Sequence, residues 1–173
     1  MHRTSMLRRP SRTTMLAALA LLVAAATGLG LRSSASAEAP AGTTLTFTEL
    51  DKGSTFKHIR NTKTKNRRSN LMGDLIVFTS PLADGSGRRV GRIHVGCVTT
   101  VGSSNFEKST ATCSGSMVTA EGTLTVQAMN SPGVARTVGT VTGGTGAYAN
   151  ARGTFTSVEG RNGNSVDTVT LVP

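Results

Sequence analysis

The stretch Val138-Gly139-Thr140-Val141-Thr142-Gly143-Gly144-Thr145-Gly146-Ala147-Tyr148-Ala149-Asn150-Ala151-Arg152-Gly153-Thr154-Phe155 places a glycine-dense turn between two alternating strand patterns. Gly143-Gly144-Thr145-Gly146 has the outline of a phosphate cradle, but no helical pattern follows it to supply an N-terminal dipole. The run therefore reads as a tight turn, in which glycine supplies backbone conformations closed to other residues. Working outward, the same short alternation recurs at residues 43–50, 71–79, 89–101, 108–118, 123–129, 134–141, 151–158 and 166–172. Thr and Val are abundant and aromatics make up only 3% of the chain. No segment has a convincing helical period, so the pattern argues for an all-β domain. About eight strands joined by short turns suit a single antiparallel up-and-down barrel, because closure removes the exposed edges of an open sheet. A barrel of that size can enclose one small ligand.

The N-terminus has to be set apart first. Arg3, Arg8, Arg9 and Arg12 precede an apolar run from Met15 to Leu31, and Ala35-Ser36-Ala37 forms a small-residue cleavage site. This is the pattern of a secretory signal over residues 1–37, leaving residues 38–173 as the mature domain. A membrane anchor is the competing reading, but the run is shorter than the ~20 residues of a spanning helix, and it contains Gly28 and Gly30. Twin-arginine export fits poorly, since Pro10-Ser11-Arg12 follow Arg8-Arg9 where an apolar pair is expected. Five arginines leave with the leader, Arg32 included, so the formal net charge of +10 falls to about +5. The remaining excess gathers in Lys57, Arg60, Lys63, Lys65, Arg67 and Arg68, a stretch that reads as an exposed loop. Nucleic-acid binding would want aromatic platforms among those charges, and the chain has no Trp and one Tyr, Tyr148, far away in sequence. Anionic cell-surface polymers remain a possible target for the loop.

Alternation assigns faces. Ile93, Val95, Cys97, Thr99 and Val101 share one face and are expected inside, with Arg92, His94 and Thr100 outside. Leu75, Val77 and Thr79 oppose Asp74, Ile76, Phe78 and Ser80, and both sets carry apolar residues, so their orientation stays open. Cys97 and Cys113 lie symmetrically about Asn105, the middle of a turn-like segment, so a hairpin centred there sets them opposite each other as a cross-strand disulfide. A free thiol in the barrel and a metal ligand are the alternatives, the latter without support from His58 and His94, which are scattered.

No nucleophile elbow, HExxH pair or P-loop is present. Glu49, Asp74 and Asp167 stand in strand-like runs. There each could be a pocket acid with a raised pKa, or could simply pair with an arginine or cap a barrel end.

Several blocks occur in the order found in allene oxide cyclase barrels: Glu49-Leu50-Asp51-Lys52-Gly53-Ser54, Gly73-Asp74-Leu75-Ile76-Val77-Phe78-Thr79-Ser80-Pro81-Leu82, Arg89-Val90-Gly91, Gly96-Cys97-Val98, Leu124-Thr125-Val126-Gln127 and the segment from Val141 to Gly153. The chain resembles that family, and its last glycine-rich block is similar to that of dirigent proteins. The resemblance implies a calycin-like eight-stranded barrel, often a homotrimer, whose apolar lumen holds a reactive intermediate in one folded shape without a cofactor. Carried over by position, the family's pocket residues fall at Thr46, Thr48, Ser54, Ser80, Cys97 and Asn130, with Gln127 on the strand leading to Asn130. Only Ser54 and Cys97 keep the family's residue type, and Thr46, Thr48, Ser80 and Asn130 replace a glutamate, two asparagines and a tyrosine. Two function classes follow. One is a secreted barrel that guides cyclisation or coupling of a small hydrophobic or phenolic metabolite. The other is a non-catalytic carrier or a cell-surface-binding module that uses the basic stretch. Neither needs nucleic acid, a metal or a stable membrane anchor.

Overall fold

The structure, a computed structural model, describes residues 42–61, 66, 68–160 and 162–172. Among these residues nine strands form one antiparallel sheet: β1 (Thr44–Glu49), β2 (Thr55–Ile59), β3 (Leu75–Ala83), β4 (Arg89–Val101), β5 (Thr110–Thr119), β6 (Thr123–Asn130), β7 (Arg136–Gly144), β8 (Gly153–Glu159) and β9 (Ser165–Leu171). From β3 to β9 each strand pairs with the next. β1 pairs along its length with β9 and, through Thr48 and Glu49, with Ala83 and Leu82 of β3. That contact closes an eight-stranded barrel, and β2 runs along the first half of β3 as a ninth, outer strand. Two single-turn 3₁₀ segments, Phe106–Lys108 and Gly146–Tyr148, sit in the connections.

β2 lies where an exposed basic loop was expected: Lys57 is a strand residue paired with Val77. Lys63, Lys65 and Arg67 lie outside the described residues. The expected strand at 71–79 also shifts. Gly73, at φ 83°, holds a turn that delays β3 to Leu75. The strand then continues through Pro81, whose carbonyl accepts the Leu50 N–H.

Only the second half of the glycine run expected to be a tight turn is one: Gly143 and Gly144 extend β7 opposite Thr125 and Leu124, and the turn begins at Thr145. Gly144 ends β7 so close to the following segment that a Cβ there would stand 2.3 Å from the Tyr148 carbonyl oxygen, and Gly146 has φ 63°. Of the face expected to look inward, Ile93, Cys97 and Thr99 are buried, and His94 is outside. Val101 departs from its set: a bulge between Thr99 and Val101 interrupts the alternation and leaves Val101 exposed. On β3 the question of face resolves in favour of Ile76 and Ser80, which are buried, while Leu75 and Val77 are outside.

One end of the barrel is filled. Leu82, Met117, Leu124 and Val169 are fully buried there with Tyr148 and Leu171, each large apolar side chain contributing roughly 1.5–3 kcal/mol relative to exposure. The other end, formed by the C-terminal halves of β1, β4, β6 and β8 and the N-terminal halves of their partners, is built differently.

Candidate functional site

In the unfilled half the inward positions carry small residues. Ala111 and Gly115 on β5 and Ala128 on β6 leave room that Met117 and Leu124 occupy at the closed end of the same strands. The result is a cavity of about 300 Å³, at the lower end of the range for small-molecule sites. Its floor is Ile93, Val126 and Phe155 from the core. Ile76, Phe78, Val95, Cys97 and Cys113 form an apolar wall on β3 to β5. Phe56, Phe106, Pro132 and Val134 surround the mouth, where Thr137 Oγ1 donates to Asn130 Oδ1 at 3.2 Å.

The expected disulfide is present in this wall. Cys97 and Cys113 are direct cross-strand partners with Cα atoms 4.0 Å apart, and their sulfurs are bonded. The symmetry of both cysteines about Asn105 is the symmetry of the β4–β5 hairpin.

The opposite wall, on β8, β9 and β1, is polar. Glu49 and Glu159 both stand opposite Ser165, while Phe47 and Ser157 both stand opposite Asp167. Glu49, Ser157, Glu159 and Ser165 line the cavity. Asp167 is fully buried one rung deeper, and neither of its carboxylate oxygens has a hydrogen-bond partner of ordinary geometry. Burial first, and then the nearby Glu49 charge, push the Asp167 carboxyl up to about 8, with Ser157 opposing them. Burial likewise raises Glu49, with Asp167 and Ser80 pulling the other way. Two carboxyl groups in a poorly solvated place cannot both ionise readily, so the pair retains a proton at neutral pH.

Asp74 shows the opposite outcome of burial. Its desolvation opposes ionisation, but the Leu71 and Asn61 N–H groups donate to it at 2.9 and 2.8 Å, and His58 Nε2 stands 3.2 Å away. These contacts outweigh burial and hold its carboxyl below the usual range. Asp74 thus fastens the turn before β3, and the His58 ring packs at 5.9 Å from the ring of Phe106 at the cavity mouth.

Of the residues expected from sequence, Cys97 and Asn130 line the cavity. Ser80 faces inward and is buried, with Ser54 Oγ 3.0 Å from its hydroxyl; Ser54 itself donates to the Leu50 carbonyl at 2.6 Å. Thr46, Thr48 and Gln127 are on the outer face, because β1 turns Leu45, Phe47 and Glu49 inward and β6 turns Val126 and Ala128 inward. Ser157, Glu159 and Ser165 were not singled out. Their signal was available in the parity that they share with Phe155 on β8 and with Val169 and Leu171 on β9.

No protein-family model and no curated protein matches the chain. Solved structures of the same fold do. A pyocyanin demethylase overlaps with a TM-score of 0.61 at 21% identity, over 75% of this chain and 100% of that one. The Diels Alderase AbmU from Streptomyces koyangensis overlaps with a TM-score of 0.54 at 10% identity, over 75% and 62%. The pterocarpan synthase dirigent protein GePTS1 is matched at a TM-score of 0.49 and 20% identity, over 75% and 80%. At these identities the likeness to the demethylase and to AbmU is one of fold.

Proposed function

We propose that this protein is a secreted barrel that takes a small hydrophobic or phenolic metabolite into its lumen and guides that molecule's stereoselective cyclisation or coupling without a cofactor. The observation that carries the reading is the cavity itself: half of an otherwise packed barrel is kept open by Ala111, Gly115 and Ala128 and walled by aliphatic and aromatic side chains. A flexible ligand held there loses conformational freedom and is shielded from water. Both effects favour one ring closure over its competitors, without any elaborate set of reacting residues. Among the fold neighbours, AbmU is described as a Diels Alderase, a cyclising activity of this kind. The secretory-type leader and the Cys97–Cys113 disulfide fit export.

A carrier would use the same cavity and show affinity without turnover. The two are separated by capturing a ligand from an extract of the host's culture medium and incubating its open-chain precursor with and without the protein. Chiral chromatography then reads the product. One enantiomer in excess only with the protein supports guided closure; identical racemic product in both leaves a carrier.

A further inference from the structure

We infer that Glu49 is the proton-accepting base of the lumen, backed by Asp167 as the neighbouring carboxyl that keeps its proton, and that the ligand carries an acidic hydroxyl, a phenol or an enol, whose proton the Glu49 carboxylate accepts. The inference rests on the lumen being a ligand site.

Three observations support it. The carboxyls occupy adjacent inward rungs of neighbouring strands, with Glu49 on the cavity surface and Asp167 beneath it. Asp167 is fully buried, with neither oxygen in a hydrogen bond of ordinary geometry, an environment in which a carboxyl keeps its proton and a second, nearby carboxylate carries the charge. Finally, the polar groups facing the pair are Ser80 from β3, Ser157 and Glu159 from β8 and Ser165 from β9. Of these only Glu159, exposed, bears a carboxyl, and none is cationic. The Glu49 charge is therefore left without a protein counter-charge on the side where the ligand sits. A hydroxyl donor is the group that complements it, and a charge-assisted hydrogen bond in this setting is a strong one.

The pair suits closure by addition within one molecule. Glu49 takes the hydroxyl proton, and the oxygen attacks the far carbon of a conjugated carbonyl in the same ligand. A C–O bond forms while the C=C electron pair moves onto the carbonyl as an enolate. Glu49 then returns the proton to the enolate carbon. The step is an isomerisation, with no leaving group and no oxidant.

The test uses the purified protein with 2-naphthol and its methyl ether, followed by fluorescence. At pH 7 the naphthol is expected to bind at least about tenfold more tightly than the ether, one charge-assisted hydrogen bond being the difference. Bound naphthol should also emit as naphtholate, since an excited naphthol passes its proton to a neighbouring base. Glu49→Gln should abolish the preference and the naphtholate emission while leaving the ether's affinity unchanged, which also reports that the variant is folded. A wild-type titration is independent of that variant: the preference should fade as pH falls through the raised Glu49 pKa, with the ether's affinity constant. Equal binding of the two probes, or a preference that survives in Glu49→Gln or does not vary with pH, overturns the role of Glu49 as base and leaves the cavity standing. Failure of both probes to bind overturns the lumen-binding reading itself.

Discussion

Asp74 and Asp167 are both fully buried aspartates in one barrel, and their partners send them in opposite directions. Asp74 accepts two backbone N–H groups and is stabilised as an anion. Its contribution is present above the unfolded value of 3.8 and is lost as pH falls towards its lowered folded value. Asp74→Ala would leave the Leu71 and Asn61 N–H groups unanswered, so a loss of roughly 3 kcal/mol is expected in urea unfolding at pH 7. Asp167 is held protonated, and its sign is reversed. Between 3.8 and about 8 the folded protein binds a proton that the unfolded chain releases, so stability falls as pH rises through that window. The slope attributable to Asp167 is up to ~1.4 kcal/mol per pH unit. Asp167→Asn is expected to flatten it, measured as the unfolding midpoint at a series of pH values; an unchanged slope would show that Asp167 does not hold its proton. The sequence exposed these carboxylates as candidates because acids in strand-like runs are conspicuous. It did not separate them, since the difference lies in which backbone amides and which second carboxyl come near. The positions carried over by resemblance, Thr46 and Thr48, precede Glu49 on β1, and in a strand one residue is the whole distance between outside and lumen.

At the level of elements, the β4–β5 hairpin was the most legible part of the chain. Two cysteines equidistant from a turn leave little choice of register, and the structure pairs them directly. Replacing both with alanine should cost ~3 kcal/mol, on the loop-entropy account. The variant should remain folded because the packed end does not depend on the bridge; chemical unfolding of the variant beside the wild type measures the cost. Less legible were the places where regular alternation breaks. The bulge after Thr99 sends Val101 outward, and nothing in a run of Val and Thr announces it. β2 was hidden for a different reason: Thr55–Ile59 pairs only with the first half of β3, an outer-strand position that tolerates Lys57 and a 64% exposed Phe56.

For the whole molecule, the division into a packed end and an open end decides what the barrel can do. Both ends come from the same strands, so the difference is one of side-chain size at inward positions, with Met117 and Leu124 at one end and Ala111, Gly115 and Ala128 at the other. The strand count and the closed topology were readable from turns and alternation. The cavity was not, since its volume depends on how residues from all eight strands meet across the lumen. Ala128→Phe is expected to occupy that volume and abolish ligand binding while shifting stability by no more than ~1–3 kcal/mol, the usual cost of an oversized core residue, as read by thermal unfolding and by retention of a bound small molecule.

The claim that the open half of the barrel is a ligand site is tested most directly by native mass spectrometry of the oxidised protein mixed with an organic extract of its host's culture medium. The account predicts one small molecule retained per chain, released on collisional activation and missing from the Ala128→Phe variant. A bare wild-type spectrum across the full range of extract concentrations would contradict it.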